Sequence, residues 1–225
     1  MLEDGREIYI PPEQWAKQQA ASNEQYLRDS VEYRADCEQG EPDSCSLLAW
    51  LYEDGKGVTR DKAQANRLYA RAVGLYQPPC DSGDGDACSS LAAAYRHGQG
   101  VAVDATKADT FQRRAVSLHT AACAGGTGDA CRRYALELFL GDGVAKDRPA
   151  AAQTYERAVS LLDRACAADT AAACQSLYAM FAIGDGVPKD QPRADAALSR
   201  AAQLYQQACN RGDGKACRWA RKLAR

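Results

Sequence analysis

Apolar side chains recur four residues apart in short runs along the chain: Leu48 and Tyr52, Leu91 and Tyr95, Tyr134 and Leu138, Leu177 and Phe181. That spacing marks one face of a helix, whereas a strand would alternate every second residue. Each run lasts about a dozen residues and stops at a glycine: Gly55, Gly98, Gly141 and Gly184. A second glycine and a valine follow, as GKGV, GQGV, GDGV and GDGV. Then comes an aspartate (Asp61, Asp104, Asp147, Asp190) placed to cap a new helix. The new helix is rich in alanine, with Ala65/108/151/194, Ala72/115/158/201 and Leu75/118/161/204 on its inner face. Pro149 and Pro192 sit just inside it, where a missing N–H costs little. The pattern predicts helix pairs, repeated.

The repetition is strict. Cysteine pairs with seven residues between them occur at Cys37 and Cys45, Cys80 and Cys88, Cys123 and Cys131, Cys166 and Cys174, and Cys209 and Cys217. Each step is 43 residues without insertion or deletion. A fixed period of this size marks a repeat array. Within each cysteine pair a turn carries glycine where a helix end needs a left-handed residue: Gly40, Gly83, Gly126 and Gly212, with Asp169 as the exception. Asp84, Thr127, Thr170 and Asp213 are placed to cap the helix that follows. Residues 1–12 are expected to be an extended segment, with REIYI alternating and Pro11-Pro12 opening a helix. Residues 13–39 then read as a half repeat, since Tyr26 shares the column of Tyr69 and Tyr155, and Tyr33 that of Tyr76 and Tyr205. The rest of 13–225 is expected to form one solenoid.

Composition narrows the class. Hydrophobic residues make up 46% of the chain but aromatic ones only 8%, which suits closely approaching helices. The net charge of −2, with both signs mixed throughout, argues against nucleic acid or an anionic membrane as partner. No run of 18 apolar residues occurs, so no membrane-spanning helix is expected. Ten cysteines in local pairs speak for an oxidising compartment, periplasmic or secreted, with a signal peptide removed from a mature end near MLEDGREIYI. Nearest-neighbour disulfides are expected, Cys37 to Cys45, Cys80 to Cys88, Cys123 to Cys131, Cys166 to Cys174 and Cys209 to Cys217. A disulfide closing so short a loop stabilises by roughly 2–3 kcal/mol. Zinc and free thiols are the rival readings, but there is no C-x-x-C and only two histidines to complete four-ligand sets.

The stretches GKGVTRDKAQA, GQGVAVDATKA, GDGVAKDRPAA and GDGVPKDQPRA, with the alanine-rich helix, resemble the Sel-one-like repeat family, relatives of the tetratricopeptide repeat. The cysteine spacing is similar to that of its bacterial cysteine-rich, Hcp-type branch. The resemblance covers residues 13–225 and implies an all-α fold, a right-handed α/α solenoid superhelix of helix-turn-helix repeats. The family unit is shorter, and the seven additional residues of the 43-residue period are assigned to the second helix, which should protrude. In the family the first helices line the concave face. Bacterial members act as adaptors, host-interaction factors and immunity proteins against type VI secretion lipase effectors.

Other candidate chemistry is thin. His97 lies beside a loop glycine and is read as surface; His119 stands in a tyrosine and leucine column and is read as packing. The acidic stretch CDSGDGD (Asp81, Asp84, Asp86) lacks the spacing of a calcium loop and is read as turn and cap. S-x-x-K, G-x-S-x-G, H-E-x-x-H and Walker patterns are absent, so no catalytic residues, metal or cofactor are expected. Arg71, Arg114, Arg157 and Arg200 form a column read as a structural ion pair or solvated edge. In a solenoid, recurring columns are structure and changing columns are free to bind. The changing positions on the first helices point to Trp50, Arg96, Arg133, Phe139, Leu140, Met180 and Ile183 as a protein-binding strip on the concave face. The expected function is a non-catalytic protein-binding scaffold, most specifically a periplasmic immunity protein that is a monomer when free. The alternatives are an Hcp-like hydrolase or penicillin-binding protein and a cytosolic signalling adaptor.

Overall fold

The computed structural model describes residues 12–223, with side chains from Gln19 to Leu223. The extended segment expected over residues 1–12 lies outside the described residues, except for Pro12, which begins the first helix. Every regular element among the described residues is a helix: α1 (Pro12–Glu38), α2 (Pro42–Asp54), α3 (Lys62–Asp81), α4 (Gly85–His97), α5 (Ala105–Ala124), α6 (Gly128–Leu140), α7 (Arg148–Ala167), α8 (Ala171–Ile183), α9 (Gln191–Asn210) and α10 (Gly214–Leu223). The lengths alternate. The even helices α2 to α8 have 13 residues and the odd ones α3 to α9 have 20, so the extra length does fall in the second helix.

The chain forms two compact units, one ending at Phe111 and the other starting at Gln112, a boundary that falls within α5. In the first, α2 packs on α1 and α3, and α3 on α4. In the second, α6 to α10 pack in chain order, each on the next. Alanine sets the spacing of the helices. Ala49, Ala92 and Ala135 on the short helices and Ala115, Ala158 and Ala201 on the long ones are completely buried, so backbones approach closely.

Each corner between a long helix and the next short one is stapled. Cys37 is bonded to Cys45, Cys80 to Cys88, Cys123 to Cys131, Cys166 to Cys174 and Cys209 to Cys217, each pair eight residues apart. These are the nearest-neighbour pairs expected from the spacing, and no cysteine is free. The second cysteine of a pair sits one turn into the short helix and points to its packed side. Cys45, Cys88, Cys131 and Cys174 are completely buried, while Cys217, in the last helix, is half-buried. Most of the cysteines are therefore part of the core, with Cys166, Cys209 and Cys217 half-buried.

The turn inside the staple has its left-handed residue at Gly40, Gly83, Gly126 and Gly212, and at Asp169 with φ 64°, as the sequence pattern predicts. Capping is less uniform. Asp84 and Asp213 accept from Ala87 N–H and Ala216 N–H, but Thr127 and Thr170 hold the cap position without a side-chain hydrogen bond. The capping expected at those two threonines is corrected accordingly. All four aspartates at the start of the long helices cap as predicted: Asp61, Asp104, Asp147 and Asp190 each accept a backbone N–H three residues on.

The GxGV loop between a short and a long helix uses its two glycines differently. Gly55 closes α2 in the left-handed region, donating to Leu51 O. The second glycine is needed for approach as well as conformation. A Cβ on Gly100 would overlap the backbone of Tyr69 and Ala70, and one on Gly186 would overlap the Tyr155 ring. This loop therefore lies directly on the long helix of the preceding repeat.

Candidate binding surface

The recurring polar side chains are engaged in holding repeats together. Arg71 donates to the carbonyl of Glu38, and Arg157 to those of Cys123 and Ala124. Arg200 pairs with Asp169. Three members of the arginine column thus serve the C-terminal end of the preceding long helix, where backbone carbonyls are left over and cations are favoured. The structural reading of that column holds, with backbone carbonyls taking most of the place expected for an ion pair.

The tyrosine columns face inward and reach across to the short helices. Tyr69 donates to Glu53 Oε2 at 3.0 Å and Tyr76 to Asp43 Oδ1 at 2.6 Å. In the second unit Tyr155 donates to Asp185 at 3.4 Å and Tyr205 to Gln175 at 2.9 Å. Burial, then the hydrogen bond to Asp43, pushes the Tyr76 hydroxyl up to about 12. Burial and the nearby Asp185 do the same to Tyr155, also to about 12. Tyr69 is raised by burial and by its bond to Glu53.

His119 is buried, as read from its column, but it has a partner that the sequence reading missed. Its Nδ1 lies 2.8 Å from Glu137 Oε1, and Gln112 Nε2 approaches the same oxygen at 3.4 Å. All three are buried. The signal was present in the period: Glu137 occupies the column of Leu51, Ala94 and Met180, all of them buried.

The residues expected to bind a partner separate into three kinds. Phe139, Leu140 and Ile183 stand in solvent, 42%, 56% and 67% exposed, at the C-terminal ends of α6 and α8. The Arg148 guanidinium sits 5.3 Å over the Phe139 ring. Arg96 is exposed, while Trp50 and Arg133 are half-buried. Trp50 meets the edge of Tyr26, and Lys56 lies 4.0 Å above its ring. Met180 does not belong to this surface. It is completely buried within the core of the second unit, where its unbranched chain fills space between helices, so its place in the binding strip is corrected to core.

The first unit has a recess of about 180 Å³ between α2, α3 and α4. A wider one of about 430 Å³ lies against α9 and α10, beside the stacked pair Tyr205 and Trp219. Among the described residues no group of three or more His, Cys, Asp or Glu side chains could hold a metal ion, and no helix is long and apolar enough to cross a membrane. The cysteines that might have held zinc are consumed in the staples, which belong to an oxidising, extracytoplasmic setting.

Comparison with known proteins agrees with the period. The Sel1 repeat profile matches residues 42–74, 85–108, 128–169 and 172–213. Among solved structures, the chain is similar to a Sel1 repeat protein from Oxalobacter formigenes, at 23% identity over 89% of this chain and 74% of that one, with a TM-score of 0.32. It is similar to a protective antigen of uropathogenic Escherichia coli strains displaying an SLR fold, at 20% identity, 88% and 55% coverage and a TM-score of 0.28, and so spans about half of that antigen. It is also similar to an immunity protein from Pseudomonas aeruginosa, at 19% identity, 90% and 85% coverage and a TM-score of 0.32. Among curated proteins, none matches the sequence.

Proposed function

We propose that this chain, which belongs to the Sel1 repeat family, is a non-catalytic scaffold that works in the periplasm as an immunity protein, binding and neutralising a lipase-type toxin of the type VI secretion kind. Sel1 repeats are protein-interaction scaffolds, and the coarse part of the reading follows from that membership. The observation that carries the protein-binding reading is how the residues divide. Recurring columns are taken up by caps, staples and core, and what changes between repeats and meets solvent is a set of apolar anchors, Phe139, Leu140 and Ile183, beside the Arg148 charge. Exposed anchors with a charged rim are how protein partners are gripped. Staples at each corner support a surface that loses little freedom on binding. Blocking a toxin requires tight binding and no turnover. The choice of toxin class rests on the resemblance to bacterial members of the family that act as immunity proteins against such effectors.

The test is to direct the chain to the periplasm together with a lipase-type effector of the type VI secretion kind, chosen from any encoded in the neighbouring genes. Growth rescue and co-purification without reductant are the expected results, and the double substitution Phe139→Asp with Ile183→Asp should remove both while leaving the melting temperature in place. Failure of the native chain to rescue or co-purify would sink the immunity reading. Nitrocefin turnover abolished by one point substitution would favour the hydrolase instead, and free thiols after non-reducing alkylation would favour a cytosolic adaptor.

A further inference from the structure

We propose that the loop edge of the second unit, where Leu140 and Ile183 stand beside Lys146 and Lys189, grips a segment of the protein partner in which carboxylates are interspersed with apolar side chains. The inference rests on the scaffold reading above and supplies the chemistry of the partner.

The period sets this edge out twice. Leu140 and Ile183 share one column, 43 residues apart, and Lys146 and Lys189 share another. Each apolar residue meets its lysine in the same way. The loop turns back over its first glycine, so a Cβ on Gly141 would stand 3.0 Å from Lys146 Cβ, and one on Gly184 would stand 3.1 Å from Lys189 Cγ. Gly141 directly follows Leu140, and Gly184 directly follows Ile183. Each lysine stem therefore crosses the chain next to an exposed apolar side chain, with its ammonium left in water. Phe139 and Arg148 extend the first of the two sites.

The cations of this edge are uncommitted. Among the described residues, the side chains of Lys146, Lys189 and Arg148 take no part in an ion pair or a hydrogen bond. Nearby carboxylates are already taken: Asp185 by Arg132, and Asp147 and Asp190 as helix caps. In the loop after α2 the same two columns are closed on themselves, since Asp54 pairs with Lys56 and Arg60 donates to the Glu53 carbonyl. The second unit thus has unpaired positive charge and exposed apolar surface at the same two places.

That combination selects its occupant. A carboxylate beside an apolar side chain satisfies both halves of each site. A basic segment is repelled, and an uncharged one strips water from the ammonium without replacing it. A flat anionic lipid surface fits less well. Residues 141–148 and 184–191 carry four carboxylates against three cations, so the edge has no net positive field to draw a sheet of charge. Only charges that meet the lysines one by one gain from it.

The experiment immobilises the full oxidised chain and selects binders from a random peptide display library. The native chain should enrich peptides carrying Asp or Glu among Leu, Ile and Phe. The double substitution Lys146→Glu with Lys189→Glu should turn the selected charge to Lys and Arg, and should weaken a representative acidic peptide at least about tenfold. Lys146→Gln with Lys189→Gln should lose the charge preference without gaining the opposite one, which keeps the test decisive if the reversed chain fails to fold. No enrichment, enrichment without acidic bias, or an acidic bias that survives in the folded variants overturns the proposal. So does co-sedimentation with phosphatidylglycerol vesicles that the variants lose, which assigns the edge to a membrane, or a native dimer that the variants dissolve, which assigns it to a second copy. The two readings fail separately. Toxin capture at native strength by the reversed chain removes the acidic grip and leaves the immunity role, whereas acidic selection by a native chain that captures no toxin removes the immunity role and leaves the grip.

Discussion

Gly100 shows how much one missing carbon controls. Its φ is +73°, and a Cβ there would overlap the backbone of Tyr69 and Ala70, which cannot yield as a flexible side chain would. Gly212 has a φ of +93° but nothing within 4 Å of where its Cβ would stand. Gly100→Ala should therefore cost about 3 kcal/mol or more by thermal or urea unfolding, because a loop must lift from a helix as well as accept strain. Gly212→Ala should cost only the strain, about 1–2 kcal/mol. The sequence shows a first and a second glycine in every GxGV loop, as at Gly98 and Gly100, but not their separate jobs, because contact between repeats leaves no local mark. The arginine column was similarly half legible: its period identifies it as structural, while its targets, backbone carbonyls of Glu38 and Cys123, carry no sequence signal. The inner tyrosines give a pH prediction. Tyr76 and Tyr155 ionise at an ordinary 10.0 when unfolded and at about 12 when folded, so the folded chain holds their protons longer. Their stabilisation is complete below pH 10 and is lost as pH rises towards 12. Tyrosinate absorbance at alkaline pH should show a late-titrating group of tyrosines, and unfolding free energy should begin to fall above about pH 10.

At the scale of helices, the third repeat departs from its siblings. Gln112, His119 and Glu137 stand where the next repeat has Tyr155, Leu162 and Met180. A buried polar cluster of this kind is costly to break singly and cheap to replace as a whole. Glu137→Met alone should destabilise by about 2–4 kcal/mol, since it strips the partner from His119 and Gln112. The triple replacement Gln112→Tyr, His119→Leu and Glu137→Met should recover most of that loss, and urea melts of the two variants decide the point. The binary pattern made helix positions, their alternation and the seven-residue extension readable, because each short helix has a four-residue apolar spacing and each long one an alanine face. It failed where one column mixes types. Glu137 and Met180 share a column that faces the core, so Met180, set beside exposed Ile183, looked like surface although it is buried.

For the molecule as a whole, the staples and the exposed anchors separate stability from binding. Replacing Cys80 and Cys88 together by serine should cost about 2–3 kcal/mol in unfolding free energy, the value expected for a loop this short, and reductant should lower the melting point of the native chain while leaving that variant less affected. Phe139→Asp should do the reverse, leaving the melting point in place while weakening partner capture, since that ring is exposed and supports no core. The cysteine period disclosed the staples fully, from Cys37 and Cys45 to Cys209 and Cys217, because each bond joins residues close in sequence. The proposed binding face is only partly written in the sequence, because exposure depends on which side of a helix its neighbours cover.

The shortness of each cross-link has a mechanical consequence. The bonded cysteines are eight positions apart with Cα atoms 4.4–4.8 Å from one another, so each bridge withholds only about 23 Å of drawn-out chain. No bridge ties one distant segment to another. Pulled from its ends in a tweezer, the oxidised polypeptide should run out almost to the length of the reduced one, as a string with small eyelets, and it could be threaded through a narrow pore one repeat at a time without a thiol ever being exposed.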